Sequence, residues 1–317
     1  MFKAIRKFKP AYTIYNILHK DQLAQNKKAL DALGINHSPY TSIDSSLFEN
    51  YKIPFSPFLD EGSSKTKLPK LELFKSLEAE QQQALLPWSE KGYSILKGYF
   101  SSDEVDEINA EIKKLVDAGA ADWHYSRPRI MFAIRKSKKI REIIGRKKLE
   151  SILSMLLGRE LNLFQSINFL EGSQQKAHSD SIHMTTFPLG FLIAAWIALE
   201  DVDENNGPLF YYPGSHKLPY LLNKDFDHGG NALLIGENAN NQYEKAIEKL
   251  IEKEQLQKET FYAKKGDVLI WHANLIHGGS AVNDAERSRK SMVLHYFAKD
   301  VICYHEITQR PALMPKT

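Results

Sequence analysis

The second half of this chain is a succession of short apolar runs cut apart by turn signals, and that pattern restricts the fold more than any other feature. Residues 161–170 (LNLFQSINFL), 190–199 (GFLIAAWIAL), 207–212 (GPLFYY), 260–263, 267–272 (DVLIWH) and 290–297 (KSMVLHYF) all have strand length. Between them stand Asn205-Asn206-Gly207-Pro208, Pro213-Gly214-Ser215 and Lys265-Gly266-Asp267, residue types that reverse a chain. Short strands in such succession predict an antiparallel sandwich or barrel. One helical insert, residues 241–257, interrupts them, with Glu and Lys alternating on its exposed face.

The first half reads differently. Residues 1–70 form a helical and irregular N-terminal extension that ends in a Pro-, Ser-, Gly- and Lys-rich stretch, residues 54–69, read as a linker. The main domain then spans 71–317, with a helical part at 71–158 and a strand-rich core at 159–300. Helix is expected over 72–86 and 139–157, the latter stopping at Gly158, with a short strand at 92–100. Ser101 and Glu104 make a capping-box pair that opens a helix whose apolar face is Val105, Ile108, Ile112 and Leu115.

A single cysteine, Cys303, excludes an internal disulfide framework and suits a reducing cytoplasm. No apolar run is long enough to span a membrane. The basic N-terminus lacks the apolar core of a secretory signal; Phe2, Ile5 and Phe8 among its lysines offer only peripheral contact with an anionic membrane. Net charge is +3, but residues 127–148 carry ten Lys or Arg against one acid, Glu142. A positive field beside a pocket favours an anionic small molecule. Nucleic acid is not expected, because the stretch lacks a platform of stacking aromatics.

His178-Ser179-Asp180 lies among the strands. Residues i and i+2 of a strand share a face, so His178 and Asp180 can reach one ion while Ser179 turns away; a third ligand must then come from a distant strand. His272 and His277 both stand in the later segment. Two histidines and one carboxylate are the ligand set of a non-haem Fe(II) site with coordination positions left open. The triplet alone is weak, since His19-Lys20-Asp21 matches it in what reads as exposed helix.

The order of the motifs adds specificity. HSDSIHMTTFP, AAWIALEDVDENNGPLFYYPGSHK, KKGDVLIWHANLIHGG and SRKSMVLHYF, from about Tyr93 to Phe297, resemble the phytanoyl-CoA dioxygenase family of Fe(II)- and 2-oxoglutarate-dependent oxygenases. The resemblance implies an α+β, mainly β fold: a double-stranded β-helix (a cupin-like jelly roll) with helices packed on one sheet. It implies His178, Asp180 and His277 as catalytic metal ligands, with His277 preferred to His272. It implies Arg289, twelve residues after His277, as the partner of the far carboxylate of 2-oxoglutarate, with Arg287 as the alternative. A guanidinium suits that carboxylate because it donates two parallel hydrogen bonds. Trp196, Gln165 and Ser291 are implied to line or assist the co-substrate site; His183, His216 and His295 are left as structural or channel residues. The implied chemistry uses Fe(II), 2-oxoglutarate and O2 to hydroxylate an aliphatic carbon of a small, anionic molecule, releasing succinate and CO2. Because related halogenases lack the carboxylate that Asp180 supplies, hydroxylation is favoured over halogenation. A non-oxidative metal-dependent cupin-like enzyme and a non-catalytic jelly-roll binding protein are the competing readings.

Overall fold

The structure, a computed structural model, describes residues 7–124, 129–146 and 148–314. Its strands are β1 (Tyr93–Leu96), β2 (Asp122–Trp123), β3 (Arg129–Met131), β4 (Leu161–Phe169), β5 (Thr185–Phe187), β6 (Leu192–Ala198), β7 (Leu209–Tyr211), β8 (Glu259–Phe261), β9 (Val268–His272), β10 (His277–Gly279), β11 (Ser291–Ala298), β12 (Ile302–His305) and β13 (Arg310–Pro311). They build a jelly roll. One wall is a seven-stranded antiparallel sheet in the order β1-β9-β6-β11-β4-β3-β2, and the other is two three-stranded sheets, β10-β7-β8 and β13-β12-β5.

Strand alternation sorts the central strands between two apolar clusters. Ile193, Ala195 and Ile197 of β6, with Val268, Ile270, Met292 and Leu294, face the helices. Ala194, Trp196 and Ala198, with Leu269, Trp271 and Val293, face the inside of the roll, against Leu209, Tyr211 and Phe261 of the opposite wall. Both faces of these strands are covered, which is why they read as continuous apolar runs.

The Ser102–Asp117 helix begins as expected: Ser101 Oγ accepts the Glu104 N–H at 3.2 Å and Glu104 Oε2 accepts that of Ser101 at 2.9 Å. Val105, Ile108 and Ile112 are buried, and Leu115 is partly so. Two expected helices are each broken in two. The 72–86 run divides into Glu72–Lys75 and Ala79–Leu85, because Glu78 is extended and caps a fresh start. The 139–157 run divides into Lys138–Arg146 and Leu149–Leu157, with Lys148 at φ 53°. The second piece stops at left-handed Gly158, as its sequence predicts.

Residues 54–69 are packed rather than a free linker: Leu59 and Leu68 are buried, and Phe58 N–H donates to Leu157. The N-terminal extension itself lies on β5 and β12. Phe48 stacks on Phe187 with ring centroids 4.2 Å apart, and Asn26 bonds both backbone polar groups of Cys303, at 2.7 and 2.8 Å. β12 and β13 also extend the roll beyond residue 300, the expected end of the strand-rich core.

Candidate metal and co-substrate site

His178 and Asp180 are not on a regular strand. His178 makes a two-way backbone bridge with His277, 2.9 Å each way, and Asp180 opens a 3-10 turn over Asp180–Ile182. The bridge sets the two histidines side by side directly, and the turn rather than a pleat aims the carboxylate. Ser179 does turn away, bonded to Tyr243 of the Ala239–Lys253 helix. The close approach also explains the glycines after His277: a Cβ on Gly278 would stand 2.4 Å from Phe210 Cζ and 2.7 Å from the carbonyl oxygen of Gln175.

His178, Asp180 and His277 are all buried and present ligand atoms within 4.8 Å of one another. Each imidazole is set by a carbonyl. His178 Nδ1 donates to Lys176 O at 2.8 Å and His277 Nδ1 to Leu275 O at 2.9 Å. This fixes the tautomer with the Nε2 lone pairs inward, both 3.8 Å from Asp180 Oδ1. Gln175 Nε2 donates to His178 Nε2 at 3.0 Å, which confirms that this nitrogen accepts. The other carboxylate oxygen, Oδ2, accepts Trp271 Nε1–H at 2.8 Å and lies 3.3 Å from His295 Nε2. His295 Nδ1 in turn lies 3.3 Å from the Gln165 amide nitrogen, so the amide orients the imidazole.

The electrostatics of His178 and Asp180 suit a ligand role. Burial pushes His178 down to about 3, helped by His277. Burial would raise the Asp180 carboxyl, but His277, His295 and His178 outweigh it and hold it below the usual carboxylate range. Neutral imidazoles and an ionised carboxylate are the states that bind a cation. His272 takes no part. It shares the helix-facing side of β9, accepts the Asn274 N–H, and sits 3.3 Å from Asp60. Among the described residues the triad is the one group placed to hold an ion, and His19 with Asp21 makes no such group.

Arg289 is 1% exposed, donates Nη1–H to Ser291 Oγ at 2.6 Å, and stands over the rings of Phe169 and Trp196 at 5.4 and 5.7 Å. Its Nε and the Trp196 Nε1 are buried with no hydrogen-bond partner. Burial lowers the guanidinium to about 10, against the opposing pull of Glu200, so it stays charged at neutral pH. Buried donors without partners are costly, and two of them lining the cavity beside the triad fit a dicarboxylate co-substrate. Arg287 points elsewhere: it pairs with both oxygens of Asp203 at 2.8 Å on the surface.

These groups line a mainly apolar cavity of about 1270 Å³, with Gln165, His183, Arg129 and Arg310 also on its wall. His216 is buried beside His272, away from it. The basic run 127–148 contributes less than its charge promised. Lys136 pairs with Asp122, Lys139 with Glu107 and Lys138 with Glu142, and Arg141 bonds backbone carbonyls. Arg129 lines the cavity; Arg127, like Phe2 and Ile5, lies outside the described residues. Trp271 was not singled out from sequence, His295 was left as a structural or channel residue, and Gln175 was not singled out either. Alternation could have found the first two, since Trp271 shares the inward face with Leu269, and His295 continues the alternate positions Ser291 and Val293.

Comparison with known proteins gives a consistent picture. The family model described as phytanoyl-CoA dioxygenase matches residues 88–291, nearly two thirds of the chain. The peroxisomal phytanoyl-CoA dioxygenase of Bos taurus is 29% identical over 133 residues, covering 42% of this chain and 36% of its own. That of Mus musculus is 24% identical over 246 residues, covering 68% of each. Among solved structures, the non-haem alpha ketoglutarate dependent carbocyclase SnoK from nogalamycin biosynthesis superposes with TM-score 0.58 at 17% identity, over 77% of this chain and 95% of its own. That likeness is one of fold. No helix among the described residues is long and apolar enough to cross a membrane.

Proposed function

This chain belongs to the phytanoyl-CoA dioxygenase family, and from that premise we propose that it is an Fe(II)- and 2-oxoglutarate-dependent dioxygenase that hydroxylates an aliphatic carbon of a small anionic molecule. The observation that carries the reading is the pairing of two carbonyl-oriented imidazoles and one carboxylate with a buried, under-bonded arginine in one cavity. His178, Asp180 and His277 would hold the metal. When bound, Fe(II) with 2-oxoglutarate and O2 supplies the oxidation of a C–H bond to an alcohol, with succinate and CO2 as co-products.

The chain's own residues do the positioning. Arg289, steadied by Ser291, receives the far carboxylate of 2-oxoglutarate in a water-poor pocket, where a charge-assisted bond is strong. Trp196 offers its free indole N–H on the same wall. Gln165 acts one step back, orienting His295 toward Asp180. Trp271 and His295 hold one oxygen of Asp180 and leave the other toward the histidines. The apolar lining keeps water from the reacting centre, a reducing cytoplasm suits the metal, and the arginines of the lining support an anionic substrate.

A panel of small carboxylates and phosphates scored by substrate-coupled succinate release, with Fe(II) and 2-oxoglutarate present, tests the proposal. Stimulated release with a matching hydroxylated product supports it. Turnover that needs metal but not 2-oxoglutarate marks a non-oxidative cupin-like enzyme instead.

A further inference from the structure

The Lys9–Leu18 helix, which precedes the family match, turns its apolar side chains to water. Its buried residues are polar, Lys9 and Asn16, while Ile14, Tyr15, Ile17 and Leu18 are 64, 49, 51 and 75% exposed. A helix on a soluble surface does the reverse. At about 100° per residue these four fall on one arc of about 160°, so they make a single face. The polar side holds the helix down. Lys9 Nζ donates to Asn231 O at 2.6 Å and Asn16 Nδ2 to Tyr40 O at 2.9 Å. Just before the helix, Phe8 bridges Leu234: Lys9 N–H donates to Leu233 O at 2.9 Å and Ile235 N–H to Lys7 O at 2.8 Å. Phe8, Leu233 and Leu234 are exposed as well, so the helix and the loop bridged to it carry seven of the ten exposed large apolar side chains among the described residues. Apolar surface gathered in this way marks an interaction site.

The charge of this segment selects among occupants. The first twenty residues carry Lys3, Arg6, Lys7, Lys9 and Lys20 and no acid; the first acid is Asp21. The bridged loop brings Asp227 and Glu237, and Glu237 pairs with Lys7 at the surface. Two copies docked through this face would set like charges together, which disfavours self-association. A layer of lipid phosphates neutralises them instead, and exposed Ile, Leu and Tyr beside lysines are the residue types of a helix lying in a membrane interface. At ten residues, about 15 Å, the helix is too short to cross a bilayer.

We propose that this face docks the protein on an anionic lipid surface. Ile14, Tyr15, Ile17 and Leu18 enter the boundary between headgroups and acyl chains, with Leu233 and Leu234 alongside, while the lysines meet lipid phosphates. Tyr15 is both half exposed and part of the cavity lining, with Ala11 and Asn16 beside it. Docking therefore sets the mouth of the cavity against the lipid.

The test is flotation of the full chain with vesicles of phosphatidylcholine alone and of equal parts phosphatidylcholine and phosphatidylserine. Partition onto the anionic vesicles should be at least about tenfold stronger than onto the neutral ones, and several-fold weaker when salt rises from about 0.1 to 0.5 M. The double variant Ile14→Asp with Leu18→Asp should lose about tenfold or more, because two charges then stand where apolar side chains enter the lipid. Lys20→Glu should cost about fivefold, through charge alone. Ile53→Asp, equally exposed but on a separate segment, should leave partition intact. These side chains are at the surface, and melting curves confirm that each variant is folded. No partition of wild type at low salt, equal partition onto both vesicles, or undiminished partition of the folded double variant overturns the proposal. So does a concentration-dependent dimer that the double variant abolishes while vesicles bind neither protein, which would assign the face to a second copy. Neither iron nor turnover enters, so failure here leaves the dioxygenase reading standing, and failure of succinate release leaves the docking face standing.

Discussion

Replacing Trp271 with Phe isolates what one indole N–H does for the metal site. The side chain is 3% exposed, donates to Asp180 Oδ2 at 2.8 Å, and packs its ring 4.8 Å from that of His277. Phenylalanine keeps the ring contact and deletes the donor. The carboxylate then retains only His295, at 3.3 Å, to fix its rotation, and Oδ1 is no longer held toward the two Nε2 atoms. A hydrogen bond to a charged group contributes roughly 1.5–3 kcal/mol, and at about 1.4 kcal/mol per tenfold that is a loss of roughly 10- to 100-fold in metal affinity. Outer partners of metal ligands show losses of that size. Anaerobic calorimetric titration with Fe(II), and with Mn(II) as a redox-stable check, reads the effect, and circular dichroism confirms the fold. A folded Trp271→Phe that binds within twofold of wild type would refute the idea that Trp271 orients the carboxylate.

Arg289→Gln should raise the Kd for 2-oxoglutarate by about 100-fold, the scale of a buried charge-assisted bidentate contact. Arg287→Gln should leave it within twofold, because its partner is Asp203 at the surface; equal effects would reverse the assignment. Gly278→Ala forces a Cβ against the Gln175 carbonyl and should cost about 1–3 kcal/mol in urea unfolding, with weaker metal binding through the neighbouring His277; an unchanged midpoint would contradict the close approach. The metal-free protein should lose stability as pH falls from about 6.5 toward 3. His183, His216 and His305 are all pushed down by burial, His216 to about 3, so the unfolded chain takes up protons that the folded one refuses, at up to about 1.4 kcal/mol per pH unit for each while the pH lies between its unfolded and folded values. Glu306, raised by burial, opposes with one proton against three. A flat urea midpoint between pH 7 and 5.5 would count against the neutral, buried state of these histidines.

Much of this arrangement was legible because it follows from short-range rules. The continuous apolar runs at β6, β9 and β11 predict strands, and the Ser101/Glu104 pair predicts the start of its helix to the residue. What sequence could not supply was set by contacts distant along the chain. Asp180 sits in a turn, aimed by an indole 91 residues away, and nothing in the triplet encodes that. The helix breaks at Glu78 and Lys148 hide inside runs with good helical periodicity. Residues 54–69 have the composition of a linker, yet Leu59 and Leu68 are enough to pin them to the core. The basic run looked like a binding surface because charge can be counted in a sequence, whereas its pairing with Asp122, Glu107 and Glu142 depends on the fold.

The central claim is that Asp180 and the two histidines serve an oxygenase. Succinate formed from 2-oxoglutarate, measured with Fe(II) in air for wild type and for Asp180→Ala of equal melting temperature, tests it directly. The account predicts succinate and CO2 in equal amounts from the wild type and at least about a 100-fold loss in the variant, through a weakened metal site. Succinate release that persists undiminished in Asp180→Ala, or none from a wild type shown to bind Fe(II), would contradict it.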